Sequence, residues 1–290
     1  MLSSSPAAVV PSTPDLSGHT VVAFHAHPDD EAIFTGLTLR RLADAGARTV
    51  LVVATAGELG GSRVRLRPGE TVARRRLTEL ERSAELLGVA RLVVLGLRDS
   101  GLPGTASTRH PRALARADLA ALARRVAGIA ESEGAGALVH DDEHGIYGHP
   151  DHRAVGRIGA AAAAAAGVTG YRTTVDRVHL RTAAPGGHLV HDAARAAGVE
   201  YGRDPGDIAL AVTGTPEQLT VKRAAIIAHE SQVDPGDVPA DTFCRTYGYE
   251  WFRRVGAPGV LDRLVAGSHS GTGHTVLPPA DQPDTLPALK

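Results

Sequence analysis

The chain has 290 residues, of which 43% are hydrophobic and 22% charged, and its formal net charge is −1. These values are typical of a globular protein, and the balanced charge and 3% aromatic content argue against a nucleic-acid partner. The one cysteine, Cys244, excludes an internal disulfide and any multi-cysteine metal site.

Both ends of the chain are rich in Ser, Pro and other small residues. We therefore predict flexible tails at residues 1–18 and 267–290 around a single domain at residues 19–266. No apolar run approaches the roughly 20 residues that span a bilayer. Residues 1–18 also lack the basic and apolar regions of a secretion signal. The sequence thus predicts a cytoplasmic protein without a membrane partner.

Short apolar runs alternate with segments of helical periodicity along the first two-thirds of the chain. The runs predict strands at residues 20–25, 48–55, 91–97 and 137–140. The periodic segments predict helices at residues 31–45, 72–87, about 119–129 and 152–166. After residue 170 the pattern is weaker and indicates a strand at 207–213 and a helix at 216–229. This alternation predicts an α/β fold, a Rossmann-like parallel sheet with helices on both faces.

The first cluster of polar residues follows the first predicted strand, where residues 26–31 read Ala-His-Pro-Asp-Asp-Glu. A helix cap would account for one aspartate. It does not account for His27, Asp29, Asp30 and Glu31 together. In a parallel sheet, a junction of this kind lies at the carboxyl edge, where ligands bind.

A second cluster, Gly-His-Pro-Asp-His at residues 148–152, follows the fourth predicted strand. Because both turns lie at the same edge of the sheet, their side chains can converge. His27, Asp30 and His152 would then form a three-ligand zinc site with a fourth position open to water. Asp29 is the candidate general base for that water, and its alternative role is that of a helix cap.

The two motifs, in this order and after strands, resemble those of the PIG-L (LmbE-like) family of zinc-dependent N-deacetylases. The resemblance covers about residues 20–232 and implies the same metal ligands and the same base. It further implies that His149 stabilises the oxyanion or protonates the leaving amine, and that Asp151 orients His149. Tyr147 matches a tyrosine that helps to hold the tetrahedral intermediate.

The resemblance also implies residues that bind the substrate. Glu58 lies in a Thr-Ala-Gly-Glu segment after the second strand, Arg76 lies in the second predicted helix, and Asp99 lies in an Asp-Ser-Gly segment after the third strand. The implied substrate is a small N-acyl amino-sugar conjugate, which is hydrolysed to acetate and a free amine. The implied cation is Zn²⁺, with Fe²⁺ or another divalent metal as the alternative.

Other functions stay open at this point. An amidase acting on a larger thiol–sugar conjugate would use the same residues. A metal-dependent sugar-binding protein would keep the ligands without turnover, and a phosphoesterase would use two metals. The sequence allows both a monomer and a homo-oligomer, and it assigns no role to His25, His140 or His144.

Overall fold

The computed structural model describes residues 14–185 and 187–266. Most of the two predicted tails, residues 1–13 and 267–290, therefore lies outside the described residues. Within the described part, Leu16 is buried and its backbone N–H donates to the carbonyl of Ala45 at 2.7 Å. The predicted domain boundaries stay a prediction.

The described residues form a seven-stranded sheet in the spatial order β3-β2-β1-β4-β5-β7-β6. Its strands β1 to β5 pair in parallel, whereas β7 runs antiparallel to both β5 and β6. The strands are β1 (Thr20–His25), β2 (Arg48–Thr55), β3 (Arg91–Leu97), β4 (Ala137–Asp141), β5 (Thr169–Thr174), β6 (Leu210–Val212) and β7 (Glu250–Val255).

Helices connect the strands and cover both faces of the sheet. They are α1 (Asp30–Asp44), α2 (Val72–Leu87), α3 (Leu119–Ser132), α4 (Gly145–Gly148), α5 (Pro150–Ala165), α6 (Arg177–Thr182), α7 (Val190–Ala197), α8 (Pro216–Ile227), α9 (Phe243–Tyr247) and α10 (Val260–Ala266). In the part of the chain that the structure describes, no helix has the length and apolar character needed to cross a membrane.

Alternate residues of each central strand pack into two separate hydrophobic cores. In β1, Val21 and Ala23 face the core that contains α1, α2 and α8, whereas Val22 and Phe24 face the core that contains α3 and α5. A strand buried on both faces reads as a continuous apolar run, which is why the sequence revealed these strands. The predicted α/β class with helices on both faces is confirmed.

The second half of the sheet differs from the prediction of an all-parallel sheet. Strand β5 was not predicted, because its sequence Thr-Gly-Tyr-Arg-Thr-Thr lacks an apolar run. The antiparallel β7 was also missed. The strand predicted at 207–213 is reduced to Leu210–Val212, since Pro205–Asp207 forms a 3₁₀ turn before it.

Strand β1 is the point at which the order of the strands reverses: β2 and β3 lie on one side of it and β4 on the other. At such a switch point the loops that follow two adjacent parallel strands diverge and leave a crevice. The first sequence motif follows β1 and the second follows its neighbour β4. The topology therefore brings residues 26–31 and 148–152 to one crevice.

Candidate active site

The first motif is held in a tight turn between β1 and α1. The backbone N–H of Thr55 donates to the carbonyl of Ala26 at 3.0 Å, which ties the turn to the end of β2. The backbone N–H of His27 donates to Oδ2 of Asp30 at 2.8 Å. Asp30 is the first residue of α1, where the helix N-terminus favours a carboxylate. The turn thus fixes an imidazole and a carboxylate beside each other.

The second motif begins helix α5. His149 caps the helix, because its Nδ1 accepts the backbone N–H of Asp151 at 3.2 Å, and Pro150 occupies the first helical position. His152 is fully buried one residue later. Helix α5 lies very close to the end of β4: a Cβ on Gly156 would lie 2.3 Å from the carbonyl oxygen of Asp142. Glycine at this position lets the helix bring His152 into the crevice.

The two motifs converge on the carboxylate of Asp30. Its Oδ2 lies 3.6 Å from Nδ1 of His27, and its Oδ1 lies 3.3 Å from Nε2 of His152. Among the residues that the structure describes, the sets of three ligand atoms within 4.8 Å of one another belong to His27, His149 and His152, and to His27, Asp99 and Asp151. The crevice therefore holds a His/Asp group able to bind a metal, with His149 and Asp30 both next to the two imidazoles.

His27 and His152 each face a second carboxylate through the ring nitrogen that does not face Asp30. Nδ1 of His152 lies 2.8 Å from Oδ2 of Asp141, and Nε2 of His27 lies 3.2 Å from Oδ2 of Asp151. A carboxylate on the far nitrogen is the usual partner of a metal-binding histidine, because it fixes the tautomer and the orientation of the ring. These residues fit a bound divalent cation.

Asp29 lies next to this centre in a strained backbone conformation, with φ of 93° and ψ of −30°. Two buried side chains hold the peptide bond before it: Arg76 donates to the Pro28 carbonyl at 2.5 Å, and the N–H of Asp29 donates to Oε2 of Glu31 at 3.0 Å. Arg76 also donates to Oδ2 of Asp29 at 3.0 Å. A non-glycine residue is strained at this φ, so the two contacts stabilise an otherwise unfavourable turn.

The carboxyl of Asp29 titrates closer to neutrality than an ordinary aspartate. Burial raises its pKa to about 6, although the nearby guanidinium of Arg76 opposes the change. The neighbouring carboxylates of Asp30 and Glu31 raise it further. A general base works best with a pKa near the working pH, so this environment suits Asp29 to the role predicted for it.

The carboxylate of Glu31 lies at the centre of a buried network behind the turn. Its Oε1 accepts a hydrogen bond from Ser83 at 2.5 Å and lies 2.7 Å from Nε2 of His229. All three side chains are fully buried. The network connects α1, α2 and the segment that follows α8.

Tyr147 and His149 close the crevice on the side of the second motif. The hydroxyl of Tyr147 lies 2.9 Å from Nε2 of His152, and burial raises the pKa of Tyr147 well above its ordinary value, which keeps the hydroxyl protonated. The ring of His149 meets that of His27 edge-on, with centroids 4.8 Å apart. Burial lowers the pKa of His149 to about 3, so its imidazole is neutral.

The carboxylate of Asp151 contacts His27 and the backbone N–H of Ser100 rather than the ring of His149. Its contact with His149 is made by its backbone N–H alone. In the structure, the Asp151 carboxylate therefore contacts His27, a predicted metal ligand. The family resemblance implied instead that Asp151 orients His149, the predicted acid.

The three predicted substrate-binding residues have different surroundings. Arg76 and Asp99 line the cleft that leads to the centre. Glu58 lies beside it and accepts the backbone N–H of Asp99 at 3.1 Å, so it supports the loop that carries Asp99. The cleft also includes Ala193 and Gln232, which no sequence motif predicted as site residues. Helix α7, which carries Ala193, has only eight residues, four of them alanine, so its apolar pattern was too short to predict it.

The histidines without an assigned role lie around the centre rather than in it. Nε2 of His25 lies 2.8 Å from the hydroxyl of Thr35. Nδ1 of the buried His140 donates to the carbonyl of Asp141. His144 directly precedes α4, and its backbone N–H donates to the carboxylate of Asp142.

Comparisons with known proteins show deacetylases among the chain's relatives. The family model described as PIG-L: GlcNAc-PI de-N-acetylase matches residues 22–163. The chain is 37% identical to a 1D-myo-inositol 2-acetamido-2-deoxy-alpha-D-glucopyranoside deacetylase of Nakamurella multipartita, over 90% of this chain and 94% of that protein. A protein of the same name from Salinispora arenicola is 32% identical over 84% of this chain and 87% of its own length.

Solved structures share the fold. The N,N'-diacetylchitobiose deacetylase of Pyrococcus horikoshii superposes with a TM-score of 0.54 at 22% identity, over 85% of this chain and 87% of that one. The A40926 pseudoaglycone deacetylase superposes with a TM-score of 0.57 at 17% identity, over 81% of this chain and 96% of that one. At these identities the structures support the architecture alone.

Proposed function

The chain belongs to the PIG-L family, and on that basis we propose that it is a metal-dependent hydrolase that removes the acetyl group from the nitrogen of an amino sugar. The substrate named for its relatives, an N-acetylglucosamine joined to inositol, is the first compound to test. One observation carries the proposal: His27 and His152 each face Asp30 with one ring nitrogen and a second carboxylate with the other.

His27, Asp30 and His152 are the proposed metal ligands, and Zn²⁺ is the proposed cation, with Fe²⁺ as the alternative. Two imidazoles and one carboxylate are a ligand set of catalytic zinc sites. A divalent cation held by these three residues would act as a Lewis acid toward the substrate carbonyl and would make water a better nucleophile at neutral pH.

The side chains around this centre supply the proton transfers. Asp29 accepts a proton from the attacking water, and its raised pKa suits that role. The protonated hydroxyl of Tyr147 donates a hydrogen bond to the oxyanion as the carbonyl carbon becomes tetrahedral. The neutral ring of His149 donates a hydrogen bond to the oxyanion through its Nε2–H, because its Nδ1 already accepts the backbone N–H of Asp151. Asp29 then gives the proton that it took from water to the departing amine. Asp151 positions His27.

The substrate is a small molecule whose sugar occupies the polar part of the cleft. Asp99 and Arg76 line this part, and Glu58 contributes through the Asp99 loop. A carboxylate and a guanidinium in a crevice recognise hydroxyl groups by charge-assisted hydrogen bonds. Asp99 already accepts the backbone N–H groups of Leu59 and Gly101, so its position is fixed before a ligand binds.

The test measures acetate and free amine released from N-acetylglucosaminyl-inositol by protein that has been stripped of metal and reloaded with Zn²⁺. We expect the two products in equal amounts from the loaded protein and neither from the stripped protein. Loaded protein that binds the compound and releases neither product would contradict the proposal and would favour a sugar-binding protein without turnover. Phosphate release from a phosphoester, with two metals per chain, would favour the phosphoesterase alternative.

A further inference from the structure

A cavity separate from the catalytic cleft lies between helix α5 and strands β4, β5 and β7. It has a volume of about 160 Å³, and its lining includes His140, Ala160, Ala163, Gly170, Arg172 and Val255. None of these six residues lines the cleft beside Asp29. The cavity, here called the His140 cavity, is therefore distinct from the proposed active site.

Small residues on both sides leave this space open. Residues 160–166 are all alanine, and Ala160 and Ala163 line the cavity from the side of the helix. On strand β5, Gly170 supplies no side chain. A Cβ at this position would lie 3.5 Å from Cβ of Ala163 and 3.6 Å from Nε2 of His140. The missing side chain therefore leaves a gap directly beside that ring nitrogen.

His140 presents an unpaired hydrogen-bond acceptor to this gap. Its side chain is buried, and its Nδ1 lies 2.8 Å from the carbonyl oxygen of Asp141. Because a carbonyl oxygen only accepts, Nδ1 carries the hydrogen of the neutral ring and Nε2 carries none. Among the described residues, nothing donates a hydrogen bond to Nε2. Buried polar atoms are nearly always hydrogen-bonded, so this nitrogen indicates a ligand that donates to it.

The charges around the cavity favour a neutral ligand. Burial, with a smaller contribution from Arg172, lowers the pKa of His140 to about 4, so its ring is uncharged at neutral pH. The guanidinium of Arg172 already faces the carboxylate of Glu143, with Nη1 and Oε2 3.2 Å apart. Among the described residues, no carboxylate lines the cavity. A cation therefore finds no negative partner in the wall, and an anion finds only a guanidinium that is already paired.

We propose that the His140 cavity binds a small neutral molecule with an apolar body and one hydroxyl group, of about the size of phenol. The hydroxyl donates to Nε2 of His140, and the body contacts the alanine methyl groups. The volume is sufficient, because an engineered protein cavity of about 150 Å³ with apolar walls binds benzene. Val255 is half exposed and lines the cavity, so the ligand enters from solvent beside this residue. The inference does not depend on the proposed function.

The test is a titration of the full chain with phenol, followed by NMR through the ring nitrogens of ¹⁵N-labelled histidine. A hydrogen bond accepted by Nε2 changes the chemical shift of this nitrogen. We expect a saturable change at His140 with a Kd of about 1 mM or tighter. Loading the protein with Zn²⁺ should leave this Kd within twofold, because the cavity is separate from the proposed metal site. An unmoved His140 signal at about 10 mM phenol, or a phenol site that zinc abolishes, would overturn the inference.

The role of the hydroxyl is tested with fluorobenzene, which has a similar shape and no hydrogen-bond donor. The matched variant is His140→Asn, whose amide keeps a donor for the Asp141 carbonyl and has no atom in place of Nε2. Loss of the His140 signal in this variant also identifies that signal. Calorimetry should give a ratio of fluorobenzene Kd to phenol Kd that is at least fivefold lower in the variant than in wild type, because the buried hydroxyl loses its acceptor. Equal ratios would overturn the inference.

A second pair of variants tests the space itself. Gly170 has no left-handed backbone conformation, and an added Cβ meets its neighbours at ordinary contact distances, so Gly170→Ala fills the gap without strain. We expect at least fivefold weaker phenol binding, because the methyl group covers Nε2 of His140. The control is Gly128→Ala in helix α3, where an added Cβ meets nothing within 4 Å, and its phenol Kd should stay within twofold of wild type. Equal Kd values in the two variants would contradict the assignment of the site.

Discussion

Helix α1 has two clusters of buried charge, one at its N-terminus and one at its middle, and they differ in how completely their groups are paired. The middle cluster, here called the anchor cluster, is the pair Lys222–Glu250, with Nζ and Oε1 2.7 Å apart. Glu250 also accepts the backbone N–H groups of Leu37 and Thr38, and Lys222 donates to the carbonyl of Tyr247. One positive and one negative charge meet, and both have hydrogen-bond partners.

The N-terminal cluster, here called the site cluster, is made of His27, Asp29, Asp30, His149 and His152. Two adjacent carboxylates share it, one of them on backbone with a φ of 93°. Burial raises the pKa of Asp29 to about 6, a cost that the hydrogen bond from Arg76 relieves only in part. Buried charge that is fully paired maintains a fold, whereas buried charge left strained and crowded indicates a site that needs a ligand or performs chemistry.

The largest expected effect comes from Asp29→Asn in the site cluster. Removing the base should lower kcat/KM for the N-acetyl substrate by about 10²–10⁴, because general bases contribute that much. Zinc binding should persist, and thermal stability should be equal or higher, since a buried carboxylate beside Asp30 is removed. Turnover at the wild-type rate would show that Asp29 is not the base.

In the anchor cluster, Lys222→Met is expected to lower stability. It leaves Glu250 buried without its cation, which should lower the free energy of unfolding by about 3–5 kcal/mol in urea titrations. The double variant Lys222→Met/Glu250→Gln should recover part of that loss. A single variant within about 1 kcal/mol of wild type would remove the distinction between the two clusters.

His140 extends the comparison because it is buried near the site cluster, and no carboxylate of the described residues forms an ion pair with its ring. Burial, with a smaller contribution from Arg172, lowers its pKa to about 4, although Asp142 and Glu143 oppose the change. Between about pH 4 and 6.5, the imidazole of His140 is therefore protonated in the unfolded chain and neutral in the folded chain. Stability is fully present above about pH 6.5 and should fall by about 3 kcal/mol as the pH drops to 4.

The control for this pH dependence is His140→Asn, whose side-chain amide can keep the hydrogen bond to the Asp141 carbonyl. Its free energy of unfolding, measured between pH 4 and 7.5, should fall less steeply than that of the wild type. Identical slopes would mean that His140 does not carry the effect.

The smallest effect is expected from Ser83→Ala, beneath the strained turn. It removes one hydrogen bond to the Glu31 carboxylate and leaves the contact with His229, so the loss should be about 1.5 kcal/mol in the free energy of unfolding. Because Glu31 still accepts the N–H of Asp29, kcat/KM should change less than tenfold. An unchanged free energy of unfolding would show that Glu31 does not need the hydroxyl of Ser83.

The sequence predicted the parts of this molecule that depend on local pattern. Strands β1 to β3 and helix α2 begin and end where their apolar runs do. The two His-Pro-Asp motifs follow β1 and β4, and the rule that parallel strands end at one edge was enough to bring them together.

Contacts between distant segments could not be predicted in this way. No local pattern reveals that Arg76 holds the turn before Asp29, or that the Asp151 carboxylate lies against His27. Nor does the sequence of Glu250–Val255 indicate that this strand runs antiparallel to its neighbours. These features depend on which elements pack together after folding. The spacing of residues within one segment does not determine those contacts.

The most direct test is to measure zinc affinity by isothermal titration. It compares the metal-stripped wild type with His27→Ala and His152→Ala. The two residues lie 125 positions apart in the sequence, in different motifs, so a shared ion requires that both variants lose it. We expect one Zn²⁺ per wild-type chain and at least a 100-fold weaker affinity in each variant. Wild-type affinity in either variant would contradict the claim that the two motifs bind one cation together.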